Sequence, residues 1–381
     1  MMKNVSNKVA WDVAVKYAMI ITVIMIGGLF LTGCGSEYIT REYTVRNESE
    51  LREAFANAEN GEVIHITIET DIQLQGSELQ VPTGATIILE TPRVSWINVG
   101  GSNPRSITRV AGEARHFYVP HQSMLRIQGA LSIQSQQSAS NTSAPRTNRG
   151  GITVNGGTFN IHGGGHIRNN RWTEGGAISI KNDGLVNMSG RGHIASNTAS
   201  SHGGGVSVAS GGVLSISGSG NIVDNTTSSH GGGVSVTSGG ILRMSGSGNI
   251  TRNKAYGHGG GVFVNENGHV VIAGSGGIAN NTANVNGGGI FANGSEVLIR
   301  LLGNGRISGN TAQRGGGVAL LNDAQLSRSG AGSVSNNTGG NIEEINDDSN
   351  EPVNDEPNII ETPEAEPQPQ PENGGSSNQR H

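Results

Sequence analysis

Cysteine is almost missing from this chain. Cys34 is the only one among 381 residues, so no intrachain disulfide can staple the fold. Aromatic residues make up 4% of the sequence and glycine supplies 61 positions, a balance that resembles a low-complexity tract. Proline is absent from Gly175 to Asn337, so any strands there keep all their ladder donors. Carboxylates are sparse in the same region. Between Gly150 and Asn337 the acids are Glu174, Asp183, Asp224, Glu266, Glu296 and Asp323. The single long apolar run, Tyr17 to Leu31, is short of the ~20 residues that a spanning helix needs.

What is present is periodic. Gly203-Gly204-Gly205-Val206 returns as Gly231-Gly232-Gly233-Val234, Gly259-Gly260-Gly261-Val262, Gly287-Gly288-Gly289-Ile290 and Gly315-Gly316-Gly317-Val318, a step of 28 residues. Gly175-Gly176-Ala177-Ile178 stands one step earlier with one change. Glycine at a fixed period marks a repeat architecture and separates this chain from disorder. Each unit carries three apolar beats. In the unit at Gly203 they are Val206-Ser-Val208, Val213-Leu-Ser-Ile216 and Ile222. Alternation of β-branched and small polar residues predicts strands, and the Gly/Ser clusters between them predict turns.

Three strands and three turns per period, stacked unit on unit, describe an all-β parallel β-helix. The spacing predicts columns of like residues ~4.8 Å apart. One column holds Ile178, Val206, Val234, Val262, Ile290 and Val318. A second holds Ile180, Val208, Val236, Val264, Ala292 and Leu320, and a third Met188, Ile216, Met244 and Ile272. One unit alone cannot bury its apolar side, so neighbours must stabilise each other. Asn170, Asn197, Asn225, Asn253, Asn281, Asn310 and Asn337 each follow an Ile or Val by three. A stacked amide donates to one neighbour and accepts from the other, so these residues read as an inward structural ladder that holds a bend.

Ile222-Val-Asp-Asn225 and Ile250-Thr-Arg-Asn253, each followed by a Gly-Gly motif, resemble the repeats of the polymorphic outer-membrane proteins. Those repeats alternate Phe-x-x-Asn with Gly-Gly-Ala-Ile, and Gly175-Gly176-Ala177-Ile178 matches the second motif. The resemblance covers about Ile167 to Asn337. It implies a right-handed parallel β-helix on a bacterial surface, with adhesion as the usual role. The sequence departs from the family in lacking its carboxy-terminal membrane barrel, so nothing about autotransport is implied.

At the amino terminus, Lys3, Lys8 and Lys16 precede the apolar run, which ends in Leu31-Thr32-Gly33-Cys34. A basic start, an apolar core and small residues before a cut describe a secretory signal. Leu-x-Gly-Cys resembles a bacterial lipobox, which implies cleavage before Cys34 and diacylation of its sulfur. Two or more acyl chains anchor a protein stably where one is marginal. Residues 1–33 then form a signal peptide and 34–43 a tether. The segment Ser49 to Ala58 predicts a helix capped by Ser49, with Leu51, Ala54, Phe55 and Ala58 on one face. It leads into the strand Val63–Ile68 and would cover the open end of the bore.

Residues 44–149 read as this cap plus irregular coils, and 150–340 as the regular repeats. Arg105, Arg109, Arg115, His116, Phe117 and Tyr118 lie in a stretch, Gly100 to Val119, that reads as a solvated lateral loop. Residues 341–381 hold eleven acids against Arg380 and the run Glu364-Ala-Glu-Pro-Gln-Pro-Gln-Pro371, which predicts a disordered tail. Without it the chain is modestly and diffusely positive, which gives no argument for a nucleic-acid partner.

Two kinds of chemistry remain. His202, His230 and His258 share one repeat position, and imidazoles one rung apart could hold a metal. Glu174, Asn286 and Arg314 fill the same position elsewhere, so turn chemistry is the preferred reading and no metal or other cofactor is assigned. Glycoside hydrolysis normally needs two carboxyls ~5 to 9.5 Å apart. Asp183 and Asp224 differ in repeat phase, as do Glu266 and Glu296, so no column is expected to stack two acids. The leading expectation is a lipid-anchored protein of the cell envelope, facing outward, non-catalytic, and serving in adhesion to a glycan or host surface. The alternative is a polysaccharide-active enzyme, lyase or hydrolase, with its site in the irregular coils.

Overall fold

A computed structural model describes residues 39–92, 104–136 and 148–345. The expected signal peptide 1–33, the expected lipidation site Cys34 and residues 346–381 lie outside the described residues, as do 93–103 and 137–147.

The chain winds into a parallel β-helix. In the coil that begins at Gly203, the strands are Val206–Val208, Val213–Ile216, Ile222–Val223 and Thr226–Thr227. Their sheets, numbered I to IV in that order, hold 10, 11, 10 and 5 strands. The sequence predicts only the first three. The fourth strand is two residues long and recurs as Arg171–Trp172, Thr198–Ala199, Lys254–Ala255 and Thr282–Ala283. A pair that short, rich in Thr and Ala, carries no readable alternation.

Pairing is parallel and residue-for-residue. Val206 faces Val234, Val234 faces Val262, and Val262 faces Ile290. Met188, Ile216, Met244 and Ile272 form the sheet II column. These side chains are fully or almost fully buried in one continuous core. Each large aliphatic contributes ~1.5–3 kcal/mol on burial, so every coil depends on the pair of coils that cover it.

From Val206–Val208 to Val318–Leu321, sheet I is buried on both sides. Val206 and Val208 point into the bore, yet Ser207 between them is also buried. The reason is the glycine triplet. After Thr227 the chain folds back over the outside of sheet I before entering the next strand. A Cβ on Gly203 would lie 2.3 Å from the carbonyl oxygen of Val206, and one on Gly204 would lie 2.3 Å from that of Gly232. Gly203 also has φ +67°, a conformation that side chains disfavour. The third position is the least strict: a Cβ at Gly205 meets its nearest atom at 2.7 Å, and Ala177 occupies that position in an earlier coil. Under this flap lies a second small core of Phe263, Phe291, Ala319 and Ile345.

The amino-terminal end is closed by helix α1, Glu48–Ala56, whose Leu51, Ala54 and Phe55 are buried. Phe55 stacks on Phe117 at 5.7 Å between ring centres. The cap is Asn47, not Ser49. Asn47 Oδ1 accepts from Glu50 N–H at 3.0 Å, and Glu50 Oε2 accepts from Arg46 N–H at 2.7 Å, a reciprocal arrangement that satisfies free donors at the helix start. The first strand, Thr40–Val45, starts inside the stretch read as a tether because it pairs along the whole of Val63–Ile68.

At the other end the last strands are Ser333–Ser335, Gln325–Arg328 and Ile342–Ile345. The third lies inside the segment expected to be a disordered tail. It is ordered because it pairs with Val318–Leu321, buries Ile345, and fixes Glu343 to Arg314 at 2.8 Å.

Candidate functional site

Four groupings of polar residues could carry function, and three of them are structural in their geometry. The first is the asparagine column. Asn225 Nδ2 donates to Asn253 Oδ1 at 2.9 Å and to the Ile194 carbonyl at 3.0 Å. Its backbone N–H donates to the same Asn253 oxygen at 2.9 Å. Asn225 Oδ1 in turn accepts from the N–H and Nδ2 of Asn197, each at 2.9 Å. Asn170, Asn197, Asn253, Asn281 and Asn310 repeat the scheme and are buried, and Asn337 continues it half-buried. The residue before each amide is left-handed: Asn169, Ser196, Asp224, Arg252, Asn280, Gly309 and Asn336 all have positive φ. The amides therefore hold a strained corner, since a non-glycine residue at positive φ is costly unless its surroundings fix it.

Both ends of the column are closed by residues that the sequence pattern does not reveal. Ser135 Oγ donates to Asn170 Oδ1 at 3.0 Å. At the far end Asn341 Oδ1 accepts from Asn337 Nδ2 at 3.1 Å and from its N–H at 3.2 Å. A second row follows the turn between sheets II and III. His166, His193, Asn221 and Asn249 each accept, through a side-chain atom, the backbone N–H one coil on, at 2.8–3.3 Å.

The second grouping is the histidine row. His202 and His230 stack at 5.4 Å, and His230 and His258 at 5.0 Å. His230 also stacks on Phe263 at 4.8 Å, and His258 lies 4.5 Å from Phe291. These rings roof the small outer core. His230 Nδ1 accepts the His258 N–H at 2.9 Å, which places its proton on Nε2. Burial, with the neighbouring histidines, pulls His230 down to about 3, and burial pulls His258 to about 4. The rings lie face to face, and no three His, Cys, Asp or Glu side chains among the described residues converge as a metal-binding set.

The third grouping corrects the reading of Gly100 to Val119 as a solvated loop. Its described part contributes the strands Arg105–Arg109 and Phe117–Val119, and Arg109, Arg115 and His116 are buried. In the regular coils each flap donates backbone N–H groups to the flap above, as Gly175 does to the His202 carbonyl at 2.9 Å. Arg115 serves the carbonyls at the start of the first flap: Nη1 reaches Gly175 O at 3.1 Å and Ile152 O at 3.2 Å, and Nη2 reaches Glu174 O at 2.7 Å. Its guanidinium also lies 4.7 Å over the Trp172 ring. Desolvation draws Arg115 down to about 9. His116 Nδ1 accepts the Gly151 N–H at 2.9 Å and its Nε2 faces the Gln134 carbonyl at 2.8 Å, so it bonds as the neutral Nε2–H tautomer. Burial and nearby Arg109 lower it to about 3.

The carboxylates are mostly engaged singly. Asp224 holds Arg252 at 2.8 Å, and Glu266 accepts from Ser238 at 2.7 Å. One point differs from the sequence reading. Leu298 pairs with Gln325, so Glu296 and Asp323, each two residues earlier, reach one turn position on adjacent coils. An extra residue between Asn293 and Leu298 hides this coincidence from simple counting.

The fourth grouping is a surface. The outer side of sheet II carries Met124, Thr158, Leu185, Val213, Ile241, His269 and Leu298 in one half-buried row. The adjacent row is Arg126, Asn160, Asn187, Ser215, Arg243, Val271 and Arg300. Alternation predicts polar residues on such a face, and half of this one is aliphatic. No family model, curated protein or solved structure matches the chain.

Proposed function

We propose that this chain is an outward-facing, lipid-anchored protein of the bacterial envelope whose non-catalytic β-helix body serves in adhesion to a glycan or host surface. The observation that supports it is the use made of the polar groups. The asparagine column, the histidine row and the buried arginines all hold the coil together, and chemistry is left to the surface. Repeating solenoids offer long regular faces of this kind. The motif Leu31-Thr32-Gly33-Cys34 after an apolar run supports the anchor. Among the described residues no helix is long and apolar enough to cross a membrane.

The alternative, a polysaccharide-active enzyme, finds less support in the amino-terminal coils, where Arg109, Arg115 and His116 bond to backbone groups. Two experiments test the proposal. The full chain incubated with uronate and neutral polysaccharides, with and without calcium, should release no product, and release would overturn the non-catalytic reading. Replacement of Cys34 by Ala should move the chain from the membrane fraction to the soluble fraction, and retention in the membrane would overturn the lipid anchor.

A further inference from the structure

We propose that the outer face of sheet II binds an acidic polysaccharide, a deepening that rests on the glycan-contact reading above. Eight consecutive strands form the face, from Met124–Gln128 to Gln325–Arg328. Not one of them contains Asp or Glu, while Arg126, Arg243 and Arg300 lie in the outward row. The ion pairs between described residues leave out Arg126 and Arg300. Arg300 Nε is buried without a hydrogen-bond partner. A guanidinium short of an acceptor gains from a nearby carboxylate or sulfate.

The rest of the face selects the class of anion. Leu185, Val213, Ile241 and Leu298 make a shallow aliphatic row that fits the C–H side of a sugar ring. Asn160, Asn187 and Ser215 beside it supply hydroxyl partners. The paired rows contain no Trp or Tyr, so the stacking that carries neutral-sugar binding is missing and the charges must supply the affinity. The same absence argues against a membrane surface, where such aromatics anchor at the interface. The rungs recur every ~4.8 Å, so the face spans roughly 30 Å and offers similar groups along its length. That suits a polymer with its own repeat. A second copy of the chain is a poor occupant, because neither paired row carries a carboxylate to face the arginines of the other copy.

The test is retention of the full chain on immobilised polygalacturonate, chondroitin sulfate and an uncharged glucan. Binding to one or both acidic polymers is expected, separating a carboxylate from a sulfate preference, and it should weaken at least ~tenfold as salt rises. The double variant Arg243→Gln/Arg300→Gln should weaken it by about tenfold or more, the scale of one or two charge-assisted bonds. Arg252→Gln, at a different corner of the coil, should leave it unchanged. Circular dichroism would verify that both variants fold. Unchanged binding in the double variant overturns the proposal. So does binding to the uncharged glucan alone, although the broader glycan-contact reading would then survive. Binding that appears only after removal of residues 346–381 would assign the face to the acidic tail and likewise overturn it.

Discussion

The amino-terminal coils and the regular field solve one problem in two ways. Both must satisfy backbone and side-chain groups that the bore buries. In the field, each group is satisfied by its own copy one coil away, as Asn225 is by Asn197 and Asn253. In the first coils no copy exists, and singular residues are recruited. Arg115 serves the carbonyls of a flap, Ser135 takes the place of an asparagine in the column, and Asn47 with Glu50 closes the helix. Repetition lets short, weakly patterned segments fold, and its boundaries demand buried charges and long-range bonds. Irregularity here marks the edge of a repeat, and a cluster of buried arginines need not be a catalytic centre.

The comparison can be broken at its strongest point first. Gly232→Ala in the field drives a Cβ to 2.3 Å from the Gly260 carbonyl oxygen, backbone against backbone. A loss of ~3–5 kcal/mol is expected, the scale of severe overpacking plus strain at special backbone positions. Gly239→Ala meets nothing within 4 Å and should cost only ~1–2 kcal/mol, for its φ of +72°. Equal midpoints of urea unfolding for the two would refute the close-approach account of the triplet.

Asn225→Ala comes next. It orphans buried donors on Asn197 and the Ile194 carbonyl, each costing ~1–3 kcal/mol, and about 3 kcal/mol in total is expected. Arg115→Met, at the boundary, should cost ~2 kcal/mol, because losing the bonds to four carbonyls, those of Ile152, Glu174, Gly175 and Ala177, is partly offset by removing a buried charge. If Arg115→Met proves the costlier of the two, the boundary and not the field sets stability.

The pH response touches both regions. His116 in the first coils and His230 and His258 in the field have folded-state values near 3, 3 and 4, below the ordinary 6.5. A depressed histidine means that the unfolded chain binds more protons as pH falls from about 6.5 towards 4. Stability is therefore full above 6.5 and declines below it. Thermal unfolding at pH 7 and pH 5 should show a lower midpoint at pH 5, and the difference should shrink in His230→Phe. A midpoint higher at pH 5 would contradict the buried, neutral assignment. The smallest effect is expected at the surface. Asp224→Ala breaks the exposed pair with Arg252 and should shift stability by no more than ~0.5 kcal/mol, whereas a loss above 1 kcal/mol would show that the left-handed corner depends on it.

Much of the fold was legible because the period is strict. The stacking of Val206 on Val234 on Val262 follows from counting, and so does the in-register column of asparagines. The two-residue strands of sheet IV were not legible, since Thr226–Thr227 has too few positions to show alternation. The outer core was hidden for a different reason. Phe263 and Phe291 continue the column of Ser207 and Ser235, and two Phe after two Ser on an outward position give no sign that a flap covers them. Arg115 was misread because its partners lie up to 62 residues away, beyond any local pattern. The acid-free side of sheet II was in plain sight in the strand sequences, but it becomes a surface only once register places those strands side by side.

The asparagine amides all point the same way along the axis, each donating towards the carboxy-terminal neighbour. Every coil thus presents an acceptor below and a donor above, like bricks with studs and sockets. Excising or inserting one whole unit in frame rejoins matching ends. The length of the solenoid is thus free to drift in evolution by whole storeys, with neither terminal closure redesigned.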